Sequence, residues 1–469
     1  MKRQISLLLL AVICVLMVAL RLGVVGRPGI GIPPKSAAVD AVNALGIDLL
    51  QKAAQPGANA LLSPYSIQLA LVMTCAGADG QTRDDMVRVL HYPKAEAQLN
   101  RSFADLQTNV NGIMNRESTC AQLRFEQTKN MLTEMDKSLP AVMKEERRTS
   151  QRLSELQHYL TNGMLTLTTV TRLYGQSGYD FRPAYLKLLE DNWQASFESV
   201  DFAHNASGIT AQINSWVQNQ TRDRIKSLIP ARTLDWLTRL VVVNAIYLKA
   251  PWLNSFSVEL TRPGPFHLAD GTVIQVPTMS QPHEENFLVG YAQRGRHLGF
   301  LGHRYTVLAL PYNCPELQFV ILMPDSYDGL PALEASLTPE LLADCTNLPV
   351  READLFLPKF KLEPPTLSLI KALRTLGMAS AFTTNANFNW TAFFRPGQGL
   401  YISGIFHQTF LQVDEAGTEA SAGTGAARGT YGIDTNIPVQ VRIDRPFLFM
   451  IQHRPTSACL FLGRTADPR

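Results

Sequence analysis

The spacing of apolar residues along this chain changes several times, and each change predicts an element. Val42, Leu45, Leu49 and Leu50 fall near one face of a helical wheel, which predicts a helix over residues 37–54. Ser63-Pro64 opens a second helix. Proline loses no hydrogen bond in a first helical turn, where the N–H lacks an intrahelical partner, and the serine hydroxyl can cap. Ile67, Leu71 and Cys75 continue its inner stripe. Residues 125–135 and 141–159 have helical composition and dense charge, broken by Pro140, and read as a solvated helical hairpin within an insertion at about 100–160. From Leu165 onward strands alternate with helices; residues 240–248 are almost continuously apolar, as in a strand buried on both faces. Residues 308–310 and 319–324 form a strand pair around the turn Asn313-Cys314-Pro315-Glu316, and 406–413 and 446–451 read as two later strands.

Between those last two strands, no side chain from Glu415 to Thr424 is larger than glutamate, which is too small to build a core. Thr418, Ala420, Ala422, Thr424 and Ala426 form a period-2 row of small side chains, and the alternate positions Glu419, Ser421, Gly423 and Gly425 are polar or bare. One row can face a packed interior while the other faces water. The segment therefore reads as a loop able to become a strand inside an existing sheet.

Composition narrows the class. The chain has 469 residues, 46% hydrophobic, with a mean hydropathy of −0.02, which describes a globular protein with a large core. Its 43 basic and 40 acidic residues leave a net charge of +3, too small to imply nucleic acid. Of the six cysteines, Cys14 lies in the N-terminal apolar run, and Cys75, Cys120, Cys314, Cys345 and Cys459, with no CxxC or CxxH spacing, read as buried thiols. GxSxG, HExxH and GxxxxGK[ST] do not occur, so enzyme, metal and cofactor readings lose support. Gly423-Thr424-Gly425 with Gly429 imitates a nucleotide loop but lacks the surrounding βαβ unit. Lys2 and Arg3 precede an uncharged run at 5–20, the layout of an export signal. Residues 1–26 are accordingly expected to be a removable signal peptide and 27–36 a flexible leader. The mature chain is expected to be secreted, extracellular or periplasmic, with no membrane contact.

Several segments resemble the serpin family in order along the chain. Leu62-Ser63-Pro64-Tyr65-Ser66-Ile67 with Gly77-Ala78-Asp79-Gly80-Gln81-Thr82 is similar to the family's helix B start and the following turn. Val243-Asn244-Ala245-Ile246-Tyr247-Leu248-Lys249 with Trp252 and Phe256 resembles its central strand and breach. Leu357-Pro358-Lys359-Phe360-Lys361-Leu362, Leu376-Gly377-Met378, Ala381-Phe382, Arg445-Pro446-Phe447-Leu448-Phe449 and Phe461-Leu462-Gly463-Arg464 match further signatures, and the likeness covers residues 37–97 and 155–467.

The resemblance implies an α+β serpin fold in one domain over 37–469, with three sheets, about nine helices and an exposed reactive-centre loop at about 415–440. It implies an irreversible inhibitor that a serine protease cleaves, becoming trapped as an acyl-enzyme while the loop inserts, in a covalent complex with a monomer. The hinge is then Glu415, Gly417, Thr418, Glu419, Ala420, Ser421, Ala422, Gly423 and Thr424. Counting from Glu415 at the family's spacing places the scissile bond between Tyr431 and Gly432, which suits a chymotrypsin-like target, with Arg428 as the competing P1 for a trypsin-like one. Ser63, Ser66, Asn244 and His407 correspond to the shutter, and Trp252 to the breach. Lys144, Arg147, Arg148 and Arg152 lie where some members bind sulfated polysaccharide, but the interleaved Glu145, Glu146 and Glu155 lower the potential that a polyanion needs. The alternative functions are a non-inhibitory carrier, chaperone or scaffold, which bulky, charged or proline hinge residues would favour, and a membrane-anchored interaction module.

Overall fold

The computed structural model describes residues 36–53, 55, 57–134, 149–150, 153–154, 157, 160, 165–193, 196–282, 288–294, 304–395, 398–418 and 438–469. Nine α-helices and three sheets, of ten, eight and two strands, lie among these residues, an α+β architecture.

The helix Pro64–Ala76 sits at the middle of the molecule. Ser63 caps it, its side chain accepting the Ser66 N–H, and Pro64 occupies the first turn. Every residue from Pro64 to Cys75 is buried, so the one-sided stripe expected from the sequence is corrected. The strand Ala458–Thr465 of the ten-stranded sheet and the strands Thr166–Gln176 and Leu240–Pro251 of the eight-stranded sheet all pack on this helix. A helix with layers on several sides has no face left to make polar.

The strand Leu240–Pro251 explains its own apolar run. Its even-numbered residues Val242, Ile246 and Leu248 join the main core, and the odd-numbered Val241, Val243 and Ala245 face the helix Phe202–Gln220, packing with its Ile213 and Val217. Period-2 side chains with both faces covered leave no polar alternation. This strand runs antiparallel to Thr166–Gln176 and parallel to Ile402–Thr409, with Asn244 opposite His407.

The long helix departs from expectation. Glu96–Glu134 is one unbroken 39-residue helix rather than a helix beginning near 125. Leu99, Phe103, Leu106, Val110 and Ile113 anchor its first half in the core. Beyond the buried Ala121 the described side chains are exposed or half-buried, and the helix continues on the propensity of its Glu, Gln, Lys and Leu residues. Most of the rest of the insertion lies outside the described residues, as do Lys144, Arg147, Arg148 and Arg152 and the 1–26 segment.

The loop proves structured at both ends. Gly417–Thr418 is already a strand of the eight-stranded sheet, and Val439–Arg442 runs parallel to Val350–Pro358 in the ten-stranded one. Cys75, Cys314, Cys345 and Cys459 are free, buried thiols.

Candidate functional site

The parallel pair Leu240–Pro251 and Ile402–Thr409 forms a seam bolted by uncharged polar groups. His407 Nε2 lies 3.0 Å from the Ser63 backbone N–H, which can only donate, so the ring proton sits on Nδ1 and is donated to Asn244 Oδ1 at 2.7 Å. That oxygen also accepts the Ser66 hydroxyl at 2.8 Å. Asn244 Nδ2 donates to the Ser66 carbonyl at 2.9 Å and to Thr171 Oγ1 at 3.0 Å. The amide thus ties three elements together, with both protons and its oxygen engaged. Burial pushes the His407 pKa down to about 3, so the ring is neutral at physiological pH. Neutral donors and acceptors of this kind can exchange partners if the strands part, whereas an apolar seam could only pack.

Above Thr409 the two strands diverge. Leu411–Val413 pairs with Phe360–Leu362 on its far side, and the chain then folds back on itself. Asp414 and Gly417 exchange backbone hydrogen bonds at 3.0 and 3.3 Å, and the Asp414 carboxylate accepts the Ala416 N–H at 3.0 Å. Gly417, the last residue of this turn, and Thr418 occupy the fork: Thr418 lies between Val413 and Ala250, antiparallel to both. Gly417 has φ +153°, and a Cβ there would sit 2.2 Å from the Ala250 carbonyl oxygen, so only glycine permits this approach.

The turn is held from both sides. The Glu415 carboxylate accepts from Lys359 Nζ and from Thr261 Oγ1, each at 2.7 Å. Burial alone would raise its pKa, but these bonds outweigh burial and hold it below the ordinary glutamate value. Trp252 donates its indole N–H to the Asp414 carbonyl at 2.9 Å and its backbone N–H to the Ala416 carbonyl at 3.0 Å. Its ring stacks on Tyr312, 4.8 Å between centroids and 4° from parallel. The Tyr312 hydroxyl meets Thr418 Oγ1 at 2.5 Å, and both residues are buried.

The structure therefore gathers the expected residues into two groups, Ser63, Ser66, Asn244 and His407 midway along the seam and Glu415, Gly417, Thr418 and Trp252 at its top. Glu419, Ala420, Ser421, Ala422, Gly423, Thr424, Arg428, Tyr431 and Gly432 lie outside the described residues. Sequence reasoning missed Thr171, Thr261, Tyr312 and Lys359. Lys359 lies in a matched segment but gave no sign of this partner, since a lysine alternating with the buried Pro358 and Phe360 reads as an outward-facing position. Tyr312 carried no signal either, because its role follows from how two distant strands meet.

Comparison with known proteins follows the same lines. The family model Serpin (serine protease inhibitor) matches residues 40–128 and 118–468. Serpin B10 of Otolemur garnettii is 32% identical over 89% of this chain and 95% of its own length. Human Serpin B3 is 32% identical over 87% and 94%, and bovine leukocyte elastase inhibitor 31% over 88% and 94%. The crystal structure of native protease nexin-1 with heparin superposes with a TM-score of 0.71 at 23% identity, covering 92% of this chain and 99% of that one. These relatives correct one expectation: the B-clade serpins and leukocyte elastase inhibitor are intracellular, so the placement of this chain as secreted, extracellular or periplasmic is overturned. The chain belongs to the serpin family of serine protease inhibitors.

Proposed function

We propose that this chain inhibits a serine protease by acting as its substrate and then trapping it, as a monomer in a one-to-one covalent complex. The observation that carries this reading is the two-residue strand Gly417–Thr418, already lodged antiparallel at the top of the seam with the remaining loop residues following it in sequence. The protease serine Oγ attacks the Tyr431 carbonyl, and the 431–432 peptide bond breaks. Gly432 leaves as an amine on taking a proton from the protease's general acid, and an ester now joins the enzyme to Tyr431. The severed segment continues the strand downward. Thr418 is buried, so Ala420, Ala422 and Thr424 fall on the same face and find room where larger side chains would not. About fourteen residues at ~3.3 Å each carry the attached enzyme about 45 Å, parting Asn244 from His407 on the way. Distortion of the enzyme then outpaces hydrolysis of the ester.

Tyr431 as P1 favours a chymotrypsin-like target. Arg428 as P1 would serve a trypsin-like one, but it shares the inward face of Thr418 and would need a carboxylate or water at the lower end of the seam. A polyanion as a second ligand has weaker support: heparin accompanies the protease nexin-1 structure, and Lys144, Arg147, Arg148 and Arg152 lie in the densest charge run here, with Glu145, Glu146 and Glu155 interleaved. Incubation with chymotrypsin-like, elastase-like and trypsin-like enzymes, followed by denaturing gel and mass spectrometry, tests the proposal. A boiling-resistant adduct and a released peptide beginning at Gly432 are expected. A peptide beginning at Gly429 moves P1 to Arg428, and cleavage by all three enzymes without adduct overturns the inhibitory reading.

A further inference from the structure

We infer that Tyr312 is a positioning residue for strand insertion: its hydroxyl holds Thr418 inside the sheet before any cleavage, so that the added strand grows from an existing two-residue nucleus. The inference rests on the inhibitory reading for its kinetic consequence, but the latch itself is a property of the uncut chain.

Tyr312 is fixed at its backbone and at its ring. Its neighbours bond across to the end of the central strand, Asn313 N–H to the Pro251 carbonyl at 2.9 Å and Leu253 N–H to the Pro311 carbonyl at 3.0 Å, around a bridge between Tyr312 and Trp252. The ring lies flat on Trp252, which is itself tied to Asp414 and Ala416. A tyrosine buried this way presents one polar atom that must find a partner, and Thr418 supplies it. Burial pushes the phenol's pKa well up, so the hydroxyl keeps its proton and remains able to donate. Thr418 has the same need, being a fully buried hydroxyl in a strand of two residues. The two groups satisfy each other across elements 106 positions apart in the chain. Gly417 is a second, independent sign that the lodged state is built in, because any side chain there would strike the Ala250 carbonyl.

The consequence concerns a race. Once the ester has formed, water can attack its carbonyl, freeing the protease serine and leaving Tyr431 with a carboxylate. Insertion must finish first. Each residue passing from loop to strand loses backbone freedom, and the first pairs are the least rewarded because few ladder bonds repay them. With Gly417 and Thr418 already in register, insertion begins past that stage, and the Tyr312–Thr418 bond sets how firmly it does so.

Tyr312→Phe removes the hydroxyl while keeping the stack on Trp252, Thr418→Val removes the other hydroxyl at nearly constant shape, and Thr418→Ser keeps it. With a protease that forms the adduct with the unaltered chain, the ratio of cleaved to trapped inhibitor is expected to rise about fivefold in Tyr312→Phe and in Thr418→Val, the factor that loss of one neutral hydrogen bond gives. The double variant should rise no further, and Thr418→Ser should stay near the unaltered ratio. An unchanged ratio in both single variants overturns the inference, and so does a lower one, which would make the bond a brake. If the unaltered chain forms no adduct at all, the inhibitory reading fails instead. Hydrogen exchange of the uncut protein then decides the latch alone: faster exchange at the Thr418 amide in Tyr312→Phe supports it, and unchanged protection removes it.

Discussion

Burial holds His407 neutral, and its two neighbours fix where the ring proton sits, the Ser63 N–H on one nitrogen and Asn244 Oδ1 on the other. Its folded pKa of about 3 lies below the ordinary 6.5, so the fold favours the neutral ring. The resulting stabilisation is complete above about pH 6.5 and is lost as pH falls towards 3, by about 1.4 kcal/mol per unit. Denaturant unfolding of the intact chain at a series of pH values between these limits should therefore show a slope that His407→Gln makes shallower by about one proton; an equal slope in the variant would assign the acid sensitivity elsewhere. Gly417→Ala acts at the same scale. Its Cβ, 2.2 Å from the Ala250 carbonyl oxygen, should expel Thr418 from the sheet, read as lost amide protection at Thr418 and altered Trp252 fluorescence, with little change at the His407 end. At this scale the sequence was partly legible. Ser63, Ser66, Asn244 and His407 were identifiable by resemblance, and the structure makes them one hydrogen-bonded group. Thr171 and Tyr312 could not be found that way, because each is brought in by the register of a strand far away in the chain.

Among elements, alternation was the reliable guide and its absence the informative exception. The central strand Leu240–Pro251 read as doubly buried and is so, because a core lies on one face and the helix Phe202–Gln220 on the other. The helix Pro64–Ala76 misled for the complementary reason: an apparent stripe says nothing about polar residues that find internal partners, as Gln68 does with the carbonyls of Ala41 and Leu90. Of the long helix Glu96–Glu134 only the end from residue 125 is legible as helix, because its dense charge marks the solvated part, whereas the buried first half gives no such sign. The loop's period-2 row is the element-scale feature with the sharpest consequence. Thr418→Arg would place a guanidinium in the fully buried site beside Tyr312, where no carboxylate among the described residues is bonded to Thr418. An unpaired buried charge is excluded by several kcal/mol, so this variant should be cleaved by the target enzyme with adduct yield reduced by about tenfold or more, measured by gel densitometry. Adduct yield equal to that of the unaltered chain would count against insertion.

For the whole molecule, the eight-stranded sheet is forked, with a paired lower seam and a top holding two residues of a strand that could be longer. On the proposed mechanism, completing that strand adds ladder bonds and buries more backbone, and cutting the loop frees the segment after Thr418 from its connection to the strand Val439–Arg442. The intact protein is, on the same mechanism, kinetically held above a more stable arrangement. Nicking the loop with a protease that is not trapped should raise the thermal midpoint by about 10 °C or more in scanning calorimetry, and a nicked form melting no higher than the intact one would remove the energetic basis of the mechanism.

The seam also has a direction. Its rungs are met in a fixed order from the fork downward: Thr409 with Ile246, then Gln408 with Ala245, and only third His407 with Asn244. Under the proposed mechanism an incoming segment parts two rungs before it reaches the one whose side chains, His407 and Asn244, bond to each other across the seam, and the rungs below yield later. Substitutions above and below that rung should act at different moments of the same passage, which makes the position of a single imidazole the natural clock mark for timing the enzyme's capture.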